Sequence, residues 1–190
     1  MQEALKVEKP VGHITVLRDE RSQSSGASRQ FKDKVENYLN ALPDDVKRTI
    51  NEDKLKVEVI PYVPASGGAL GRYSSWHRKV SISEQAVNKN PEDAQAQIYQ
   101  VLGLALDGAG QKESSNRDFQ NAVIEDLKSA SPETKEYFQK QFNQSRSGAY
   151  SQLFSEAFAY RQIERTGQAI PADVAKDLAK TLEYMRKRYK

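Results

Sequence analysis

The chain has two imidazoles, His13 and His77, and no cysteine. The lack of thiols excludes disulfides, thiolate metal sites and cysteine nucleophiles. Among the carboxyls, Glu156 stands out because its neighbours are apolar: Leu153, Phe154, Ala157, Phe158, Ala159 and Tyr160 surround it in sequence. A carboxyl buried among such residues needs a hydrogen-bonding partner, since an unpaired polar group in an apolar interior is costly. Gln100, Tyr99, Tyr150 and Arg161 are the candidate partners. Neither histidine lies at helical spacing from Glu156. No nucleophile with an adjacent base, and no paired carboxylates, can be read from the sequence.

A second cluster, Arg72, Tyr73, Trp76 and His77, follows the stretch 64–71, which reads Pro-Ala-Ser-Gly-Gly-Ala-Leu-Gly. A glycine-rich loop can cradle phosphate, but this one lacks the Gly-Lys-Ser/Thr ending and the strand-to-helix setting of a nucleotide loop. It reads as a flexible connection between strands.

The positioning elements follow from the apolar periodicity. Residues 13–17 form a β-rich run, and the Ser-rich segment 18–28 is a mobile connection. Phe31, Val35, Tyr38, Leu39 and Leu42 recur at three- and four-residue steps and predict a helix over 29–42, ended by Pro43. A short turn is expected at 44–50, a half-buried strand at 54–60 and another at 79–83. Pro91 opens a helix that Gly108 closes, with Ile98, Val101, Leu102, Ala105 and Leu106 as a broad buried stripe. Further helices are expected at 116–129, 132–142, 150–165 and 171–189, with a turn at 143–148.

The 190 residues suit one domain, here 13–190 after a linker at 1–12. The net charge of +3 arises from acidic and basic residues that alternate along the chain, unlike the stripe that nucleic-acid binding requires. The basic group Arg186, Lys187, Arg188 and Lys190 sits where a helix C-terminus favours cations. No apolar run approaches the roughly 20 residues of a membrane span, so no integral membrane segment is expected. Met1 is followed by Gln-Glu-Ala-Leu-Lys, without the apolar region of a cleaved signal. That fits a cytosolic chain, one exported by another route, or a piece of something longer.

Two segments carry a resemblance. Residues 100–107 read Gln-Val-Leu-Gly-Leu-Ala-Leu-Asp, and residues 153–160 read Leu-Phe-Ser-Glu-Ala-Phe-Ala-Tyr. Together with the element order, from about His13 to the C-terminus, they resemble the anthrax lethal factor family of zinc metalloproteases, and within it the small secreted Pro-Pro endopeptidases. In that family a buried helix carries His-Glu-x-x-His-Ala-x-Asp, and a later helix carries Glu-x-Phe-x-Glu-(Ala/Ser)-Phe-Ala-Tyr, whose second Glu is the third zinc ligand. Phe154, Glu156, Ala157, Phe158, Ala159 and Tyr160 fall in register with the later motif. In the earlier one, Gln100 stands for the first His, Val101 for the catalytic Glu and Leu104 for the second His, while Ala105 and Asp107 are kept. Tyr150 stands near the position of a family tyrosine, one residue closer to Glu156.

The resemblance implies an α+β, zincin-like fold with a small mixed sheet packed on several helices. It also implies a dead site. Two imidazoles four residues apart grip one cation while the carboxylate between them takes a proton from the bound water. Glutamine, valine and leucine do none of this, and Glu156 cannot hold zinc alone. The expectation is no metal, no other cofactor and no catalysis. The chain would be a pseudoenzyme module of a bacterial toxin, virulence effector or secreted protein. It would bind another protein, or another domain of its own polypeptide, as a degenerate copy in this family does. Arg72, Tyr73, Trp76, His77 and Tyr150 would line the old substrate groove, which takes an extended peptide by strand addition. Two alternatives stand beside this reading. One is a non-zinc chemistry built from Glu156, His77, Tyr73 and Tyr150; the other is a purely structural docking domain.

Overall fold

A computed structural model describes residues 12–18, 26–63 and 68–190, and for Gln111 the backbone only. Most of the expected linker at 1–12, most of the connection at 18–28 and residues 64–67 of the glycine-rich loop lie outside the described residues.

The fold is mixed α+β. Strand β1 (Val16–Arg18) leads to helices α1 (Arg29–Asn40) and α2 (Asp44–Glu52), then to strands β2 (Lys56–Ile60), β3 (Gly71–Ser74) and β4 (Lys79–Ser83). The sheet order is β1-β2-β4-β3; the first three strands run parallel, and β3 is an antiparallel edge strand. Val57, Val59, Val80 and Ile82 are all buried. Alternation puts them on one face, the pattern of a sheet with helices packed on it. Ser28 caps α1 by accepting from Phe31 N, and its own N–H and hydroxyl donate to Glu84.

Beyond shifted ends, with β1 at Val16–Arg18 where 13–17 is expected, this half differs from the sequence reading in two elements. The turn expected at 44–50 is a full helix, because Val46 and Ile50 fall one turn apart and both bury. Strand β3 has no counterpart in the sequence reading; it pairs as a hairpin with β4, Tyr73 opposite Val80. Gly71 makes this possible, since a Cβ there would lie 2.4 Å from Ser81 O and 2.6 Å from Val101 Cγ1.

A single turn, α3 (Glu84–Val87), precedes the helical half. Its elements are α4 (Ala94–Leu106), α5 (Arg117–Ser129), α6 (Pro132–Gln144), α7 (Arg146–Arg165), α8 (Ala172–Asp177) and α9 (Ala179–Arg188). The turn expected at 143–148 shrinks to Ser145, whose hydroxyl caps α7 at Gly148 N. The single helix expected at 171–189 breaks at Leu178 (φ −118°, ψ 30°). Carboxylates claim both sides of that break. Asp177 accepts from Ser131 and Thr134, while Asp126 of α5 accepts from Lys180 N and Thr181 N and so caps α9. The C-terminal basic residues are engaged in ion pairs: Arg186 with Glu164, Lys187 with Glu183 and Arg188 with Glu113. Among the described residues no helix is long and apolar enough to cross a membrane.

Candidate functional site

Helices α4 and α7 form the main helical contact. They approach closely at Gly103, where a Cβ would lie 2.9 Å from Phe158 Cδ1 and 3.1 Å from Ser155 Cα. Asp107 ties the end of α4 to α7, accepting from Ser151 Oγ at 2.8 Å and from Ser114 N and Oγ. This crossing brings Gln100 and Glu156 to the wall of one pocket of about 730 Å³. Tyr38, Tyr137 and Tyr160 share that wall.

The partner of Glu156 differs from each of the four candidates. Tyr137 Oη donates to Glu156 Oε1 across 3.0 Å, and Gln152 Nε2 donates to the same oxygen across 2.8 Å. Gln100 lines the pocket but does not bond to Glu156. The Tyr99 hydroxyl donates to Tyr38 O, Arg161 reaches Tyr189 O and Glu164, and Tyr150 is packed edge-on against Phe142. Tyr137 has no sequence signal of its own; it neighbours the buried Phe138 on a different helix, 19 residues before Glu156.

Burial pushes the Glu156 carboxyl above its usual range, against the opposing effect of its two hydrogen bonds. Burial and the adjoining Glu156 push Tyr137 up to about 12. Tyr160 is raised by burial and by the carboxylates of Glu156, Asp173 and Asp93. The acidic side chains give the pocket a negative potential, while Tyr137 remains 43% exposed.

The other positions fall elsewhere. Val101 is buried and faces β3, its Cγ1 close over Gly71. Leu104 is half-buried and does not line this pocket. His13 Nε2 bonds to Glu36 Oε1 at 3.0 Å, and His77 Nδ1 to Ser74 Oγ at 3.0 Å. Among the described residues no three His, Cys, Asp or Glu gather in a way that could hold a metal ion.

Of the groove candidates, Arg72 is exposed on the edge strand, and the Tyr73 ring lies against Gly108. Trp76 is 96% exposed in the β3–β4 turn. Tyr150 does not line the groove as expected: it is 3% exposed and part of the core. Because α7 begins at Arg146, Tyr150 shares a face with the buried Leu153 and Phe154. The set Glu156, His77, Tyr73 and Tyr150 is not assembled, as only Glu156 lines the pocket. No protein-family model matches the chain, and no curated protein matches it in sequence.

Proposed function

We propose that the chain is a catalytically inactive metalloprotease-like domain of the lethal factor type, from a bacterial toxin, effector or secreted protein. It acts by binding another protein, or another domain of its own polypeptide. The observation that carries this reading is the shared pocket of Gln100 and Glu156, on the two helices whose motifs resemble the zinc-binding helices of that family. Gln100 offers a neutral amide where an imidazole would bind metal. Val101, packed over Gly71, cannot accept a proton where a general base would stand.

The binding face is the outer edge of β3, which among the described residues pairs only with β4. An extended segment adds to such an edge through main-chain hydrogen bonds. Arg72 and Trp76, both exposed, are the side chains on and beside that edge that a partner meets.

The test is zinc content of protein purified without chelator, together with cleavage of a peptide library by the same sample. Metal-free, inert protein is expected. Stoichiometric zinc with cleavage overturns the reading.

A further inference from the structure

We propose that the pocket beside Glu156 is a binding site for an organic cation, a primary ammonium or guanidinium group held between tyrosine rings and carboxylates. The charge of the lining comes first. Glu92, Asp93 and Asp173 line this pocket with Glu156, and no lysine, arginine or histidine does so among the described residues. Lys176 lines the adjoining cavity of about 530 Å³, which shares Tyr137, Glu156 and Tyr160 with the first.

One acceptor in the wall lacks a protein donor. Both hydrogen bonds to Glu156 end on Oε1, and no described residue donates to Oε2. An apolar occupant would leave Oε2 unmet, and an anion would meet four acidic side chains. A cation that donates N–H groups satisfies Oε2 and neutralises the charge.

The aromatic wall favours the same occupant. Tyr38, Tyr137 and Tyr160 line the pocket, and aromatic rings attract ammonium and guanidinium groups. About 730 Å³ is the size of a small-molecule site and exceeds the needs of one charged head, so the stem that carries the head is accommodated too. A free amine and a basic side chain of a polypeptide share this chemistry. The inference stands on the lining alone and does not depend on the proposed loss of protease activity.

The experiment is a titration of the whole chain, followed in amide correlation NMR spectra that include the glutamine side-chain amides. The probes are the diamine cadaverine, lysine and arginine blocked at both backbone ends, and neutral blocked norleucine. Saturable shifts centred on Gln97, Gln100 and residues 156–160 are expected with the cations, and none with norleucine. Tighter binding of the blocked amino acids identifies a polypeptide source, and tighter binding of cadaverine a free amine. Asp173→Asn, at an exposed position, and Glu156→Gln, which keeps an acceptor for Tyr137, should each weaken binding by about tenfold while the remaining spectrum stays native. The proposal is overturned by the absence of saturable shifts up to concentrations on the order of 10 mM. Equal binding of norleucine, or affinity unchanged in both variants, overturns it as well.

Discussion

Tyr137 on α6 and Gln152 on α7 both donate to a single oxygen of Glu156, at 3.0 and 2.8 Å. The Glu156 carboxyl is therefore held from a neighbouring helix and from its own, while Gln100 shares its pocket without a bond to it. Two donors on one oxygen offset part of the cost of burying a carboxyl, and burial still outweighs them.

That balance sets a pH dependence. A carboxyl whose folded pKa is raised contributes stability that is fully present below its unfolded value of about 4.3 and is lost as pH rises through the folded value. Glu156→Gln removes the titration and keeps an acceptor. Its melting temperature should exceed that of the parent at pH 7, and the gain should vanish near pH 4. An equal difference at both pH values would show that the carboxyl is not the titrating group.

Glu36 predicts the opposite sign. Lys32 Nζ at 2.9 Å, His13 Nε2 at 3.0 Å and Val16 N at 3.1 Å all meet this carboxylate, and the Lys32 bond foremost holds its pKa at about 2. Its stability contribution is present above about pH 4.3 and lost as pH falls toward 2. Denaturant titrations across that window should show a shallower acid loss for Glu36→Gln than for the parent.

Gly71→Ala should destabilise the fold by about 1–3 kcal/mol, because the new methyl meets the Ser81 carbonyl and the Val101 side chain at once. Arg72→Ala, on the exposed next residue, should stay within about 0.5 kcal/mol. Chemical denaturation of the pair separates a packing effect from a general intolerance of β3.

Thr181 is fully buried, and its Oγ1 has no hydrogen-bond partner, although its N–H is bonded to Asp126. Valine keeps the branched shape and the backbone bond while removing an unsatisfied hydroxyl. Thr181→Val should stabilise the protein by about 1 kcal/mol, read as a raised denaturation midpoint. A lowered midpoint would mean that the hydroxyl finds a partner in solution.

Trp76→Ala should leave stability within about 0.5 kcal/mol, since the indole is almost wholly exposed. If a partner docks on the β3 edge, the same change should weaken its binding by about 2 kcal/mol, as loss of an aromatic anchor does. Calorimetry with parent and variant reads both quantities; undiminished affinity moves the interface away from this edge.

Elements that signal themselves locally were legible. Helix α6 starts at Ser131-Pro132-Glu133, with the serine as its cap, and α1 buries Phe31, Val35 and Leu39 as their spacing requires. What was not legible depends on partners distant in sequence. No local pattern marks the break at Leu178, because Asp126 and Ser131 enforce it from 52 and 47 residues away. Strand β3 is short and polar, and becomes a strand only because Gly71 fits beneath Val101. Gln100 lines the pocket with Glu156 but is not the hydrogen-bond partner that the sequence suggests. The Tyr137 bond was not legible, since nothing in the spacing of α6 points to α7.

The crossing at Gly103 also orders the birth of the fold. Phe158 follows Gly103 by 55 residues, so a chain still being synthesised has finished α4 long before the helix that covers it exists. Until α7 emerges, the face of α4 around Gly103 lacks its helical partner, and a nascent chain stalled in this interval should expose apolar surface. The late helix is thus both a wall of the pocket and the cover that α4 waits for.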